Sequence, residues 1–412
     1  MLQLIIAGQE DESGEIAVRI ILHCDEYTPR HVPCAIRMQV FSTVFQKGKN
    51  SVKVFAGNNS LDGGPEKAEE AIYCPTIPLK KKTALYRIAN QLSFAITSFF
   101  MGPKAGRADV VITTSPPVLI SMFGWLIARC KGAKLIYDVR DIWPEVALEM
   151  GSFTEKSLYC KLFRFIANFM FKHADAITTV SPGKVEKIKA KLPQEQKDKV
   201  WLVENGLDET FLEQTENPAV IKKYSLDQKF TCVYVGNIGL AQGLGHLLDL
   251  AETLDKQKYQ FLLFGAGAEK TPLEQEAQQR GLTHVHFCGR VDSNTVFSVL
   301  KNTSMTYIPL VNANLKDSIP TKTYEALGAG CPILMVAEGD APKIVDESRF
   351  GMTLSPNSIE RLPEVFEEFC DRYKEIKANC DYAREYVLEE HSRQKIAVEF
   401  ENRIKKMLME EN

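Results

Sequence analysis

At 412 residues the chain is too long for one ordinary hydrophobic core, and two domains of about 200 residues are the natural expectation. An apolar fraction of 45% beside 25% charged residues excludes a disordered or fibrous chain and fits a globular enzyme. The net charge of −3 hides an asymmetry: residues 1–208 hold 27 Lys and Arg against 22 Asp and Glu, and the remainder holds 23 against 31. A basic first half implies an anionic partner there, a membrane surface or a phosphorylated acceptor, with no nucleic acid expected.

In chain order, residues 1–7 are a short apolar run and 9–15 an acidic, glycine-containing segment. The first β-branched strand pattern is 16–23. It runs into a loop, residues 24–33, that carries Arg30 and His31, then a helical pattern over 34–46 that contains Arg37. Residues 52–56 read as a second strand. Over 79–102, Lys80, Lys81, Lys82 and Arg87 precede an apolar set of Leu92, Phe94, Ala95, Phe99, Phe100 and Met101, with no acidic residue between 71 and 108. Two readings fit that segment, a basic amphipathic helix lying in a membrane interface and a core helix with a solvated basic start. Residues 161–172, with Phe163, Phe165, Phe169 and Phe171, repeat the pattern and favour the first.

Between Asp109 and Arg129 lie 19 uncharged residues, close to membrane-spanning length. Ser115-Pro116-Pro117 divides them into a strand, 110–114, and a helix beginning near Val118. Lys134-Leu135-Ile136-Tyr137-Asp138-Val139-Arg140-Asp141-Ile142-Trp143-Pro144 is a strand running into a charged loop. Asp138 and Asp141 could orient a hydroxyl, and Arg140 could bind a phosphate or a sugar hydroxyl but not act as a base, since a guanidinium keeps its proton. The competing reading is an Asp–Arg network that caps a strand end. Residues 173–183 form another strand and helix start, and Asn205-Gly206 is a turn near which the domain boundary is expected.

The second half opens with a strand, 231–235, and a glycine-rich turn, Gly236-Asn237-Ile238-Gly239-Leu240-Ala241-Gln242-Gly243. Such a turn lets backbone amides approach a diphosphate. Gly265-Ala266-Gly267 follows an apolar strand, but Lys270 holds the place of the third glycine of a dinucleotide fingerprint. Residues 286–291 are a strand and loop ending in Arg290 and Val291. After a buried strand pattern at 305–311 comes Asp317-Ser318-Ile319-Pro320-Thr321-Lys322-Thr323-Tyr324-Glu325-Ala326-Leu327-Gly328-Ala329-Gly330, with Ser318 able to cap a helix and Gly328 and Gly330 to stop it. A lysine in the first turn of a helix costs roughly 0.3–1 kcal/mol against the macrodipole, unless an anion binds there. Lys322 and Glu325 share a helix face and suit a phosphate and sugar hydroxyls, or are a solvated surface pair. From residue 362 the pattern is helical to the end.

The stretch from Asp317 to Glu325 resembles the donor motif of the retaining glycosyltransferases of family 4, whose GT-B fold is two facing Rossmann-like α/β domains with a cleft between them. The resemblance implies that Glu325 holds the donor ribose, Asp317 the transferred sugar where the family has a glutamate, and Thr321 and Lys322 the phosphates. It implies further donor contacts from Gly236, Asn237, Gly239, Gln242, Arg290 and Val291, Asn237 and Gln242 standing where many members have arginine and lysine. Asp138-Val139-Arg140-Asp141-Ile142-Trp143-Pro144 resembles the branch that builds bacterial surface polysaccharides, which makes Lys322, Asp138, Arg140 and Asp141 the catalytic candidates and Arg30, His31 and Arg37 the acceptor-binding ones. The expected layout is 1–206 for the acceptor domain, 207–382 for the nucleotide-sugar domain, and 383–412 as a helix returning to the first. The implied activity moves a hexose, HexNAc or deoxy-HexNAc from a UDP-sugar to a lipid-linked or saccharide acceptor, without metal or other cofactor, at the cytoplasmic face of the membrane. An epimerase or hydrolase on the same fold, or a catalytically weakened scaffold of a polysaccharide assembly complex, are the other classes. Ten cysteines without CxxC spacing or a histidine cluster argue against a zinc site and suit reduced cytosolic thiols.

Overall fold

A computed structural model of the chain describes residues 17–30, 32–64, 67–79, 84–149 and 154–410. The stretches 1–7 and 9–15, Lys80–82 and His31 lie outside them. The chain divides into two compact units: unit 1 reaches to Glu204 and takes up again from Gln394, and unit 2 is Asn205–Arg393. Residues 383–393, grouped by the sequence pattern with the returning helix, belong to unit 2.

Unit 1 comprises β1 (Arg19–His23), α1 (Pro33–Lys47), β2 (Ser51–Gly57), β3 (Ala71–Cys74), α2 (Ala84–Phe100), β4 (Val110–Ser115), α3 (Val118–Lys131), β5 (Lys134–Val139), α4 (Glu145–Glu149), α5 (Leu158–His173), β6 (Ala176–Thr179), α6 (Pro182–Lys189) and β7 (Val200–Leu202). Its strands form one parallel sheet in the order β3-β2-β1-β4-β5-β6-β7. The period of two along each strand sorts side chains onto opposite faces. Ile20 and Leu22 pack with Phe41 and Phe45 of α1, while Ile21 packs with Phe94 of α2, Ile120 of α3 and Ile166 of α5. Both faces are therefore covered, as a parallel sheet requires.

Unit 2 comprises α7 (Pro218–Tyr224), β8 (Phe230–Val235), α8 (Gly245–Thr253), β9 (Tyr259–Phe264), α9 (Lys270–Gln279), β10 (Val285–Gly289), α10 (Ser293–Asn302), β11 (Met305–Pro309), α11 (Lys322–Ala329), β12 (Ile333–Val336), α12 (Asp340–Ser348), β13 (Gly351–Leu354), α13 (Leu362–Asp371), α14 (Tyr373–Ala378) and α15 (Cys380–Glu390). Its parallel sheet has the order β10-β9-β8-β11-β12-β13. The final helix, α16 (Arg393–Met409), lies in unit 1 apart from its first residue. There the Phe400 ring sits 5.3 Å from Phe41, 5.8 Å from Phe45 and 6.4 Å from Trp201.

Three strands had no clear sequence signature: β3, β7 and β13. Each lies at a sheet edge and is only three or four residues long, so it lacks the apolar run by which central strands are read. The uncharged stretch 110–128 is strand β4, a proline turn and helix α3, and no helix of the described residues is long and apolar enough to cross a membrane.

Phe400→Ala removes a ring that is 1% exposed from the core of unit 1. It should destabilise that unit by about 3–5 kcal/mol, the range for buried aromatic-to-alanine changes. All three tryptophans lie in unit 1, so a urea titration followed by tryptophan fluorescence reads it directly.

Candidate active site

Reversal of strand order makes a crevice at the carboxyl ends of two neighbouring strands that run to opposite sides. In unit 2 those strands are β8 and β11, and their loops bring together the glycine turn after β8 and helix α11 after β11. Gly236 has φ +144°, and a Cβ on it would stand 3.0 Å from Nζ of Lys322. Gly265 passes so close to the Gly236 carbonyl that no side chain fits. Glycine at 236 is thus a matter of room for the lysine.

Lys322 begins α11, where the cap residue is Thr321 with no side-chain cap bond; Ser318, expected as the cap, instead donates its N–H to the Leu315 carbonyl. Nζ of Lys322 lies over the Tyr234 ring, 3.9 Å from its centre. No carboxylate of the described residues forms an ion pair with it. Burial pushes its pKa down to about 7, against the pull of Glu325. Glu325 is pushed up by burial, which Arg393 and Lys322 oppose. The two are a half-buried pair held short of contact, not a solvated surface bridge. At the far end of α11, Arg384 donates to the Gly328 carbonyl and Lys377 to that of Gly330, cations where the macrodipole favours them. Lys322 alone stands at the unfavourable end.

Gly328 does not stop the helix. It lies inside α11 because a Cβ there would meet Leu207 at 2.7 Å, and the stop is Gly330, left-handed at φ +71°. Asp317, before the helix, is 5% exposed. The glycine turn offers fewer amides than its composition suggests: Gly236 N–H donates to Phe264 O, Ile238 N–H to Ala266 O, and Gly239 N–H to Oε1 of Gln242 at 3.3 Å. The Asn237 carbonyl accepts from the Tyr234 hydroxyl. Arg290 is exposed beyond β10, with Val291 half-buried beside it.

In unit 1 the order reverses between β1 and β4, and a pocket of about 290 Å³ lies at their carboxyl ends. Asp25 and Glu26 follow β1, Pro116 and Pro117 follow β4, and Arg140 and Trp143 follow β5; Gln91 of α2 and Phe163 of α5 complete the wall. Arg140 is fixed from behind, Nε donating to Thr114 Oγ1 at 3.0 Å and Nη2 to the Pro116 carbonyl. Burial opposes its charge, and the carboxylates of Asp138, Asp141 and Asp25 counter that cost. Asp25 is pushed up to about 7 by burial and by Glu26, against Arg140. A carboxyl poised near neutrality beside a fixed cation and two aromatic walls suits a hydroxylated ring bearing a phosphate.

Arg37 does not face that pocket as an acceptor ligand would. It is 1% exposed, with Nη2 donating to Asp138 Oδ1 at 2.9 Å and to the Val203 carbonyl, and Nη1 donating to the Glu204 carbonyl. Asp138 is wholly buried, accepting also from Thr178 at 2.8 Å and Thr114 at 3.2 Å. Burial would raise its pKa, but Arg37 and Thr178 overturn that and hold it below the usual range. Asp138 therefore touches Thr114, which touches Arg140: it positions the cation and is out of reach of an acceptor. Asp141 is half exposed, 4.0 Å from Nζ of Lys184, and Arg30 pairs with Glu26 at 3.2 Å on the pocket rim. Sequence reasoning passed over Asp25, Tyr234, Trp143 and Phe163. The place of Asp25, directly after the first central strand, was the available signal for it.

Residues 216–386 match the family model described as "Glycosyl transferases group 1", and residues 49–206 the one described as "Glycosyl transferase 4-like domain". The chain is 24% identical over 303 residues to the probable glycosyltransferase WbjE of Pseudomonas aeruginosa, covering 72% of this chain and 76% of that protein. It is also 24% identical over 274 residues to the protein of Escherichia coli K12 named "Putative colanic acid biosynthesis glycosyl transferase WcaI", covering 64% and 67%. Among solved structures, Anabaena HepE in complex with UDP-glucose superposes with a TM-score of 0.71 at 13% identity, over 94% of this chain and all of that one.

Asp138→Asn should cost about 3–5 kcal/mol, because it leaves the Arg37 guanidinium buried without a counter-charge. Arg37→Met with Asp138→Leu should recover most of that loss. A double-mutant cycle by urea unfolding would show a large coupling energy, and additive losses would mean the pair is not the strut described.

Proposed function

Because the chain is a group 1 glycosyltransferase of GT-B fold, two Rossmann-like domains, we propose that it moves a hexose, HexNAc or deoxy-HexNAc from a UDP-sugar to a lipid-linked or saccharide acceptor in the synthesis of a surface polysaccharide, with retention of configuration. One observation carries this reading. A half-buried ammonium with no ion-pair partner among the described residues stands at the N-terminus of α11, in the crevice where the strand order of unit 2 reverses. Such a site is incomplete until an anion arrives. The glycosyl–phosphate bond breaks as charge grows on the leaving diphosphate, and a preorganised cation in a low-dielectric site stabilises that charge most when it is fully developed.

The roles follow from place. Lys322 and the amide end of α11 receive the diphosphate, with Thr321 beside them. Glu325, one turn on, takes the ribose hydroxyls; Asp317 takes the transferred sugar; Arg290 and the Val291 backbone meet the base. Gly236 makes room for the lysine, and Gln242 holds the turn shut through Gly239. In unit 1, Arg140 and Asp25 hold the acceptor, Arg140 kept straight by Asp138 through Thr114. Retention places the incoming hydroxyl on the face the diphosphate leaves. The solved complex of HepE with UDP-glucose supports the choice of donor, and the name of WcaI supports a polysaccharide pathway.

Lys322→Ala should lower kcat/KM by at least about tenfold, since the charge it meets is greatest in the transition state. Near wild-type kinetics with a UDP-sugar panel and a polyprenyl-diphosphate-sugar acceptor would overturn the role. A pH effect follows from the same residue. Its folded pKa of about 7 lies below the ordinary lysine value, so above pH 7 the free protein carries a neutral amine that must take up a proton to meet a phosphate. UDP affinity should fall as pH rises from 7 to 9, by up to about tenfold per unit, with proton uptake measurable by calorimetry in buffers of different ionisation enthalpy. Lys322→Met should abolish the uptake.

A further inference from the structure

A basic pocket of about 520 Å³ lies in unit 1 at the amino end of the edge strand β7, with α6 and α16 beside it. It shares no lining residue with the pocket of Asp25 and Arg140, which opens at the carboxyl ends of β1 and β4. Five cations from three elements converge on it. Lys189 ends α6, Lys197 and Lys199 belong to the short helical turn Gln194–Lys199, and Arg403 and Lys406 share one face of α16. Two carboxylates, Asp198 and Glu410, also line it. The floor is apolar: Val200, Met407 and the half-buried Trp201, whose ring is braced by Phe400 at 6.4 Å. The cations are held but not neutralised. Lys199 Nζ donates to the carbonyls of Lys172 and Ala174, at 3.3 and 3.1 Å, and to Gln196 Oε1 at 3.0 Å, and burial lowers its pKa against the pull of Asp175. The Arg403 guanidinium stands 6.0 Å from the centre of the Trp201 ring. Among the described residues neither Arg403 nor Lys197 forms an ion pair. Lys189 reaches Glu186 at 3.5 Å and Lys406 reaches Glu410 at 3.6 Å, both exposed carboxylates.

We propose that this pocket binds a soluble anion carrying two or more phosphate groups, at a site that shares no residue with either crevice. Size and charge select that class. The volume falls within the roughly 300–1,000 Å³ of small-ligand sites. Five cations against two carboxylates leave a surplus larger than the charge of one phosphate. A single phosphate fills a small part of the cavity, whereas a chain of phosphates can meet the Gln194–Lys199 turn and α16 together, through charge-assisted hydrogen bonds. The apolar floor and walls strengthen the field that draws it in. Once bound, the anion ties α6, the turn and α16 to one another and stabilises unit 1 by linkage, since only the folded unit assembles the site. None of this depends on the transferase reading.

The test is titration of the full chain with inorganic tripolyphosphate and, separately, with orthophosphate, followed by calorimetry and by tryptophan fluorescence, because Trp201 lines the pocket. Tripolyphosphate should bind at least about tenfold more tightly than orthophosphate and weaken as salt is raised. Lys197→Ala/Arg403→Ala should weaken it at least about tenfold through lost charge-assisted hydrogen bonds. Neither of those side chains is buried, so the melting temperature of the free protein should not change. Trp201→Phe should lose the fluorescence response and keep the calorimetric one. Lys322→Met should bind tripolyphosphate as wild type does, which separates this pocket from the end of α11. The proposal is overturned by an absence of saturable binding, by a Lys197/Arg403 variant that binds as well as wild type, or by loss of binding in Lys322→Met. Displacement of tripolyphosphate by phosphatidylglycerol vesicles would overturn it too, assigning the cations to a lipid surface instead of a soluble ligand.

Discussion

The order in which parallel strands are laid down is the constraint from which the chemistry of this chain descends. A parallel sheet must bury both faces beneath crossover helices, so its only open ground is at strand ends. Where the order reverses, two loops part and leave a crevice that needs no further design. The chain makes that reversal twice, at β1/β4 and at β8/β11, and each crevice contains a cation held by the fold rather than by a counter-ion at its tip. Sheet order decides where, and the loop residues decide what.

The two cations are prepared by opposite means. Arg140 cannot lose its proton, so its environment can afford a dense ring of negative potential and a backing chain of Thr114, Asp138 and Arg37. Lys322 can, and its surroundings press it to: an aromatic face, a glycine turn whose amides are turned inward, and a carboxylate not close enough to pair. A phosphate about 4 Å from such an ammonium gains roughly 4 kcal/mol at an effective dielectric of 20, and only about 1 in water. Withholding a counter-ion in the free protein preserves that difference for the ligand.

Much of the architecture was legible before any coordinates, because buried parallel strands read as continuous apolar runs and glycines mark the turns after them. The central strands and the helix that follows Pro320 were found this way. What was not legible was depth. Arg37 looked like an acceptor ligand, since a positive side chain near a loop gives no sign that its guanidinium is sealed against Asp138. The glycine turn looked like an open phosphate cradle, since composition does not say that Gln242 folds back on Gly239. Asp25 was not singled out, since its place directly after the first strand says nothing of depth, and the pocket reveals how burial and Glu26 act on it. The edge strands β3, β7 and β13 escaped because each is too short to leave a pattern to read.

On the proposed reading, the neutral side chains in the glycine turn have a consequence for how a donor would be held. With Asn237 and Gln242 in place, the diphosphate relies on Lys322, whose own protonation is marginal near neutrality. A site with three cations would bind the diphosphate tightly before and after transfer, and release of the spent nucleotide would then limit turnover. A single titratable cation binds more weakly in the ground state but keeps its advantage where charge is greatest, which is the condition for raising kcat rather than merely lowering KM. The same economy makes the site sensitive to any change that would give Lys322 a permanent partner.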